Sequence, residues 1–404
     1  MNGIKDNKRN LFLLVMSIMF LIKDFTWFAY IAIVLFCVVL IGSRRIDLDI
    51  GDLILFYSSY RYVVSRVSDA PWALVRGMAF VAIYQLGKKA TDKDNSISPI
   101  CVIAPALAFL IKGILDYSAL FRTGTSETVL FWPDWSGNLL NRSEHEYYLV
   151  LMASLLIYFV YFSVKVSRVG IAGIILSLGA VVLALYAKGR LAFWACLFAT
   201  VVAGVGMVVE KKLYKMKAFR MAGASVLALM IVVIILFGTN TFGLYDSYKD
   251  SVWSEEGGPI YNSRFDMMGQ QIMLFYDSYS DRTGELEDDP ALINSDGEEL
   301  YYVSNSWLQI GRKKGVPNML WTVVFSVYSI ICLIISWMKS KDMNKYVVIS
   351  AFVGITFLNM IEPAITTNAV FWALEVYLAG MSRAIYTRAC SPQKWDAGIS
   401  FSYV

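Results

Sequence analysis

Apolar runs of membrane-spanning length alternate with short polar connectors along almost the whole chain. A helix needs about 20 apolar residues to cross the roughly 30 Å of hydrocarbon in a bilayer, and runs such as Ala222–Phe237 and Met319–Trp337 approach this length with few interruptions. The pattern predicts spans at residues 10–22, 25–42, 52–67, 72–87, 99–121, 146–164, 170–186, 190–209, 220–238, 317–337, 344–361 and 366–383. We therefore expect an all-α polytopic membrane protein with about 12 transmembrane helices.

Two of these segments, 52–67 and 72–87, are less apolar than the rest. They carry Arg61, Arg66 and Arg76, and a charged side chain at membrane depth is costly unless it faces protein or water. Two full spans and a single re-entrant hairpin are both compatible with the sequence, and either preserves the orientation of everything that follows.

The connectors between spans alternate in charge. The basic ones contain Arg44/Arg45, Lys88/Lys89/Lys93, Lys165/Arg168, Lys211/Lys212/Lys215/Lys217/Arg220, Lys339/Lys341/Lys345 and Arg383/Arg388/Lys394. All of them fall on one side of the predicted topology together with the N-terminal tail, and an excess of Lys and Arg in short loops marks the cytoplasmic side. Both termini are expected in the cytoplasm, with segments 122–145 and 239–316 outside.

One outer segment is long and strongly acidic. Between Thr239 and Tyr302 there are 14 Asp or Glu residues against three basic ones. We predict three parts: a membrane bundle of about nine spans over residues 1–238, a large acidic outer loop over 239–316, and a bundle of three spans with a cytoplasmic tail over 317–404.

The acidic loop contains one amphipathic stretch, Arg264–Tyr276. Phe265, Met268, Ile272 and Phe275 recur in it at helical spacing. We expect a helix that lies with this apolar face on the membrane or on the bundle.

Composition excludes several classes of protein. A chain that is 57% hydrophobic and 17% charged, with a mean hydropathy of +0.55, does not resemble a water-soluble domain. The basic residues lie in short connectors and form no stripe with interleaved aromatics, so we expect no nucleic-acid partner. The first apolar run, 11–22, has no small-residue cleavage site after it and is expected to be a retained helix. Five scattered cysteines and one histidine predict no disulfide framework and no CxxC or histidine-built metal site. No metal and no cofactor are expected.

Basic residues outside the cytoplasmic connectors run against the usual concentration of Lys and Arg on the cytoplasmic side, so their presence needs another explanation. They are Lys23, Arg61, Arg66, Arg76, Lys112, Arg122, Arg142, Lys188, Arg190, Lys249, Arg264, Arg282, Arg312, Lys313 and Lys314. A guanidinium group can make two parallel charge-assisted bonds to a phosphate, so arginines at the outer boundary would suit a lipid-linked diphosphate. Snorkelling, or pairing with the acidic loop, is the alternative explanation for each.

Three short patches stand out. Arg190 lies in the very short outer turn YAKGRLAFW, and Arg264 opens the amphipathic stretch in YNSRFDMMGQQ. In YYVSNSWLQIGRKKGVPNMLW, Ser304 and Asn305 precede a short predicted helix and a Gly/Pro turn. They are candidates for contact with substrate, or simply for capping that helix, since Ser and Asn are favoured N-cap residues.

Tryptophans on the outer side could stack on sugar rings. The four are Trp132, Trp135, Trp253 and Trp307. An aromatic belt at the headgroup level is the alternative use of such residues.

These patches, in this order, resemble the O-antigen polymerase and O-antigen ligase superfamily, the Wzy-type enzymes. The closing run NMIEPAITTNAVFWALEVYLAGM, with Glu362 just before the last span, is similar to the end of that family. The resemblance implies a GT-C-like glycosyltransferase architecture with a large periplasmic loop over the site. It also implies transfer of a growing glycan from undecaprenyl diphosphate onto a lipid-linked repeat unit, in the bacterial inner membrane.

The resemblance also implies roles for individual residues. Arg190 and Arg264 would hold the diphosphate of the donor. Ligases of this superfamily carry a His before the Asn of the third patch; here the residue is Ser304, which favours a polymerase and leaves the general base unassigned. Carboxylates of the acidic loop and His145, in the other outer segment, are candidates for that base.

Further substrate contacts are expected from four residues near the outer surface, Arg122, Arg282, Trp307 and Glu362. A chain-length-regulating membrane protein is the partner that the resemblance implies. Two alternatives stay open: an O-antigen ligase that acts on lipid A–core, and a lipid-linked-oligosaccharide flippase, although the chain shows no similar halves.

Overall fold

The computed structural model describes the chain in separate stretches. The described residues are 15, 19, 25–43, 47–65, 70–90, 190–211, 260–277, 292–293, 299–300, 303, 305–340, 345–361 and 369–390. Within them the fold is helical, with one minimal antiparallel ladder in which Leu292 pairs with Leu300 and Ile293 with Glu299.

Nine helices and two strands make up the described residues. In chain order they are α1 (Phe25–Ser43), α2 (Ile50–Ser65), α3 (Ala70–Ala90), α4 (Arg190–Lys211), α5 (Ile260–Asp277), β1 (Leu292–Ile293), β2 (Glu299–Leu300), α6 (Ser306–Lys314), α7 (Val316–Lys339), α8 (Lys345–Ile361) and α9 (Ala369–Cys390). Seven predicted spans correspond to α1–α4 and α7–α9, one helix to each. The predicted spans 99–121, 146–164, 170–186 and 220–238 lie outside the described residues, as does 10–22 apart from Val15 and Met19.

Among the described helices, α7 alone is both long enough and apolar enough to cross a membrane. It has 24 residues, and shorter apolar stretches occur at Phe25–Ile41, Trp194–Gly206 and Val348–Met360. The structure thus supports one membrane-capable helix in the described part of the chain, and the count of twelve spans stays a prediction.

Helix α7 has its polar side turned inward. Its outward stripe, 44–50% exposed, is Leu320, Val324, Val327, Ile331 and Ile334. Its buried polar residues are Asn318, Thr322, Ser326, Ser329 and Ser336. Several of these hydroxyls bond within the helix, as Thr322 Oγ1 does to the Asn318 carbonyl at 2.8 Å. This is the reverse of a water-soluble amphipathic helix, which buries its apolar face.

Helix α3 lies at the centre of the described bundle and packs against α1, α2 and α9. Its backbone touches α9 directly at Gly87 and Gly380. A Cβ atom on Gly380 would lie 2.2 Å from the Tyr84 carbonyl oxygen, and one on Gly87 would lie 2.3 Å from that of Tyr377. Glycine at both positions is therefore what lets the two helices meet.

The loop helix α5 confirms the predicted helix at 264–276. Met267, Gln271 and Phe275 are buried, whereas Ile272 is 53% exposed. The buried side of α5 thus includes a polar residue, Gln271, which accepts a hydrogen bond from Arg312, and contact of Ile272 with a membrane stays a prediction.

A cluster of charged side chains joins three helices at one end of the bundle. Asp49, just before α2, accepts from Lys88 Nζ of α3 at 2.9 Å and from Arg383 Nε of α9 at 3.1 Å. Lys88 also reaches Asp52 at 3.2 Å. Asp49 and Lys88 are both buried here, with side-chain exposures of 7% and 8%.

We predict that Asp49→Asn destabilises the protein and removes an acid-sensitive component of its stability. Burial opposes ionisation of Asp49, but the attraction of Lys88 and Arg383 outweighs it and lowers the pKa of this carboxyl. A lowered folded-state pKa gives stability that is present above the unfolded value of about 4 and is lost as pH falls through the folded value. Lys88 keeps Asp52 as a partner, so we expect a loss of about 2 kcal/mol, below that for an orphaned buried charge.

Thermal unfolding in detergent at pH 7 and at pH 4 and below measures both effects. Asp47→Asn, which changes an exposed side chain of the same loop, is the matched control. Equal unfolding temperatures for Asp49→Asn and the wild type at pH 7 would contradict the prediction.

Candidate functional site

The SNSW patch forms the start of α6. Asn305 has an extended backbone with φ −157°, and its Oδ1 accepts from the Leu308 backbone N–H at 2.9 Å. Its Nδ2 donates to the Met360 carbonyl at 2.8 Å. Asn305 is therefore an N-cap, as its residue type allowed, and it also fastens the start of α6 to the end of α8.

A chain of buried side chains continues from this helix start into the bundle. Ser306 Oγ donates to Asn359 Oδ1 at 3.3 Å, and Asn359 Nδ2 donates to Glu375 Oε2 at 2.7 Å. Ser326 Oγ donates to the other carboxyl oxygen, Oε1, at 3.1 Å. We call these four residues the Glu375 network; it connects α6, α7, α8 and α9.

Helix α5 of the acidic segment is attached to the bundle through α6. Gln309 Oε1 accepts from the Val303 backbone N–H at 2.8 Å, and Arg312 Nη1 donates to Gln271 Oε1 of α5 at 2.7 Å. Arg312 is completely buried, so its guanidinium group is part of this attachment and is not presented to a soluble ligand.

A pocket of about 370 Å³ opens between α6 and the helices α1, α2, α3, α7 and α9. Its polar lining is Ser58, Ser59, Arg76, Lys313, Lys314, Asn318 and Thr322. Its apolar lining is Phe25, Leu55, Gly77, Phe80, Ile310, Ala369 and Trp372. None of the described residues that line it is acidic. We call it the basic pocket.

Close packing of α2 on α3 shapes one wall of the basic pocket. A Cβ on Gly77 would lie 2.4 Å from the Ser59 Cβ, so glycine lets the two helices approach there. Ser59 Oγ donates to the Leu55 carbonyl at 2.7 Å. Arg76 lies beside Gly77, and its Nε is buried with no hydrogen-bond partner in the described part of the chain. A buried donor without a partner is costly, and an anion in the pocket would satisfy it.

The opposite wall is made where α6 turns into α7. Gly315 has φ 86°, in the left-handed region that favours glycine. The turn places Lys313 and Lys314, in the last turn of α6, beside Asn318 in the first turn of α7, whose Nδ2 bonds to the Lys314 carbonyl at 2.5 Å. Cations are favoured at a helix C-terminus, so the sequence of α6 stabilises two positive charges at the pocket.

The basic pocket suits an amphiphilic anion. No described residue of the lining is acidic, so its cations would attract a phosphate or diphosphate, and an arginine fork binds two of the oxygens at once. Phe25 and Phe80 stack at 5.2 Å between ring centroids on the apolar side. Fixed cations of this kind also stabilise the charge that develops on a departing diphosphate.

A second, larger cavity of about 500 Å³ lies between α4, α7 and α8. Its lining is almost wholly valine, isoleucine and leucine, and its polar atoms Trp337 Nε1 and Tyr346 Oη bond to each other at 3.0 Å. None of its described lining residues is charged, so these residues offer no partner for a diphosphate.

The structure gives different amounts of information on the predicted site residues. Asn305 and Trp307 both lie on α6, and Trp307 is half-buried. Arg190 is the first residue of α4 and Arg264 lies in the first half of α5; their side chains are outside the described part, and their roles stay predictions. Ser304, His145, Arg122, Arg282 and Glu362 lie outside the described residues altogether.

Two features escaped the sequence reasoning. Arg76, Lys313 and Lys314 belonged to the set of unexplained basic residues, but nothing in the sequence indicated that they share one pocket. The signal for Arg76 was its place inside a predicted span, where a charge needs protein or water around it. Glu375 also lies inside a predicted span, but Glu362 was the acidic residue predicted for the site.

No family model matches the chain, and no curated protein sequence matches it. What the molecule itself defines is an α-helical protein with at least one membrane-capable helix and a basic pocket at one end of its described bundle.

Proposed function

We propose that this protein is an O-antigen polymerase of the bacterial inner membrane. It transfers a growing glycan from undecaprenyl diphosphate to a lipid-linked repeat unit at the periplasmic face. The observation that carries the proposal is the basic pocket, with Arg76, Lys313 and Lys314 around a space beside the SNSW helix. The resemblance of the three sequence patches to the Wzy-type enzymes supplies the substrate class.

A membrane setting is supported by the outward faces of the helices. The exposed stripe of α7 is matched on α1 by Trp27, Val34, Val38 and Ile41, which are 60–79% exposed. Large apolar side chains in such stripes need a nonaqueous environment or a partner. In that setting we propose a multi-pass protein with cytoplasmic termini and a periplasmic acidic loop.

The charged cluster supports the orientation. Lys88 and Arg383 come from predicted cytoplasmic connectors, and they meet at Asp49. The basic pocket lies towards the other ends of α2, α3 and α9, at Ser59, Arg76 and Trp372. With the cluster on the cytoplasmic side, the pocket faces the periplasm, where the glycan is assembled.

In the proposed reaction the diphosphate of the donor occupies the basic pocket. An acceptor hydroxyl attacks the anomeric carbon, the bond from that carbon to the diphosphate oxygen breaks, and the hydroxyl proton passes to a base. Undecaprenyl diphosphate leaves with the bonding electrons, and the cations stabilise the charge on it. His145 and the acidic loop supply the candidates for the base, and Arg122, Arg190, Arg264 and Arg282 are further candidates for the diphosphate.

The residues at the start of α6 divide into two kinds of role. Both ends of the Asn305 amide are engaged, one with Leu308 and one with Met360, so this residue is assigned to positioning α6. Ser304 and Trp307 are proposed to contact the acceptor sugar, and Glu362, which follows α8 in the sequence, stays a predicted substrate contact.

Reconstitution tests the proposal directly. The purified protein in liposomes with an undecaprenyl-diphosphate-linked repeat should give a ladder of products that differ by one repeat unit. A chain-length-regulating membrane protein is the expected partner, and its addition should narrow the range of product chain lengths. A substrate that stays unextended with the protein folded and correctly inserted would refute the polymerase.

Gene deletion separates a polymerase from an O-antigen ligase. Loss of a polymerase leaves single repeats attached to lipid A–core, whereas loss of a ligase leaves none attached. Ser304, where the ligases carry a histidine, favours the first outcome.

Loop replacement separates an enzyme from a flippase. Residues 245–300 include α5, which is bonded to buried Arg312, so a short linker in their place should abolish polymerisation. A transporter should keep its function without a loop of this size.

A further inference from the structure

Glu375 is a carboxyl group enclosed in the middle of the bundle. It is completely buried, and its two oxygens accept from Ser326 of α7 and Asn359 of α8 at 3.1 and 2.7 Å. An ionisable group in such a place is expensive and usually has a functional reason. Neither Ser326 nor Asn359 carries a charge, so a salt bridge with one of these partners does not explain its presence.

The direction of the hydrogen bonds ties Glu375 to the start of α6. The Glu375 carboxyl accepts a hydrogen bond from the side-chain Nδ2 of Asn359. This bond turns the side-chain Oδ1 of Asn359 towards Ser306, whose hydroxyl donates to it at 3.3 Å. The next residue of α8, Met360, accepts from Asn305. The last turn of α8 thus holds the start of α6 at two points, and Glu375 orients one of them.

Glu375 also lies directly below the basic pocket. Trp372 and Thr322 line the pocket, and they precede Glu375 and Ser326 by three and four residues on α9 and α7, which is about one helical turn. Phe325 and Trp372 touch at this level, with ring centroids 5.7 Å apart. The Ser326–Glu375 bond therefore joins α7 to α9 beneath the pocket floor.

We propose that Glu375 is a positioning residue that acts through Asn359 to fix the start of α6 relative to the basic pocket. The activity part of this inference rests on the proposed function: the pocket holds the donor diphosphate, and the SNSW segment presents the acceptor. A change in their separation slows transfer, because a displacement of about 1 Å between reacting groups is enough to lose much of the rate. It leaves donor binding nearly intact, because Glu375 does not line the pocket and the lysines lie in the last turn of α6, where Asn318 of α7 bonds to the Lys314 carbonyl.

Two substitutions and one control test this role. Glu375→Leu removes both acceptors, whereas Glu375→Gln keeps a carbonyl oxygen for Asn359 and offers its amide N–H to the Ser326 hydroxyl. Ser382→Ala is the matched control, since its buried hydroxyl lies further along α9 and bonds to the Ala379 carbonyl of its own helix.

Three measurements are compared with the wild type. Hydrogen–deuterium exchange of residues 303–311 in Glu375→Leu should rise about tenfold, with little change in α2 and α3. The saturated elongation rate should fall about tenfold, while the Kd for farnesyl diphosphate, the probe of the pocket, changes less than about threefold. Glu375→Gln and Ser382→Ala should stay near the wild type in all three.

Each other outcome overturns the inference. The inference fails if exchange at 303–311 is unchanged in Glu375→Leu, or if probe binding and elongation rate fall together in that variant. It also fails if Glu375→Gln changes exchange and rate as much as Glu375→Leu does. If Glu375→Leu does not fold, Ser306→Ala removes the α6 end of the same network and must reproduce the increased exchange. If the wild type elongates nothing, the proposed function fails, and the exchange experiment still decides whether Glu375 positions α6.

Discussion

Arg76→Ala is expected to reduce chain elongation about 100-fold, the usual scale for loss of one preorganised donor at a charged leaving group. Arg76 lies within α3, with a buried Nε that has no partner in the described part of the chain. It faces a pocket whose other cations are Lys313 and Lys314. Among the described residues of the lining, Arg76 alone offers a planar fork, so neither lysine replaces it. The rate of ladder formation in liposomes, at equal amounts of folded protein, is the measurement.

Arg76→Lys and Lys89→Ala serve as controls for this experiment. The first keeps the charge without the fork and should retain a minor part of the activity, and the second removes a charge from the far end of the same helix and should retain nearly all of it.

Arg190→Ala and Arg264→Ala should each abolish long-chain polymer at an unchanged protein level. If Arg190→Ala and Arg264→Ala lose long-chain polymer while Arg76→Ala makes chains of normal length, the diphosphate binds outside the basic pocket.

Gly380→Val should cost roughly 3 kcal/mol of stability or more, at the upper end for an overpacked core. The atoms that the added Cβ would contact belong to the backbone of α3. They are the Tyr84 carbonyl oxygen at 2.2 Å and the Lys88 backbone nitrogen at 3.1 Å. A side chain could rotate aside, but α3 as a whole would have to move away from α9. The yield of monodisperse protein in detergent and its unfolding temperature measure the effect.

Gly269→Ala is the matched control, because nothing lies within 4 Å of a Cβ at that position of α5. Alanine is a better helix former than glycine by about 1 kcal/mol, so this variant should be as stable as the wild type or slightly more so. A Gly380→Val protein that unfolds at the wild-type temperature would show that α3 and α9 do not meet as described.

The helices themselves were predictable because hydropathy is a local property. The predicted span 317–337 became Val316–Lys339, and 344–361 became Lys345–Ile361, with edges shifted by one or two residues. The two segments 52–67 and 72–87, left open between spans and a hairpin, are separate helices that pack on each other. The short helix after SNSW, and Asn305 as its cap, also followed from residue type.

The basic pocket could not be predicted because its parts are distant in sequence. Arg76 shares one pocket with Lys313 and Lys314 only because α2 and α9 each pack against both α3 and α7, and the packing on α3 depends on glycines whose contacts no local pattern reveals. The same holds for Glu375, which reaches Ser326 and Asn359 on two other helices. For α5 the periodicity predicted the helix but not that polar Gln271 lies on its buried side, because the bond to Arg312 joins residues that are 41 positions apart in the sequence.

The inward hydroxyls of α7 also bear on how the protein could be redesigned. The polar residues of α7 face a bundle whose core is otherwise apolar, whereas Leu320, Val324, Val327 and Ile331 of the same helix are exposed. Changing these four residues to lysine or glutamate would therefore alter the solvent that this face tolerates without touching the hydrogen bonds made by the polar half of the helix. A water-soluble analogue of this scaffold would need that face recoded together with the exposed apolar stripe of α1.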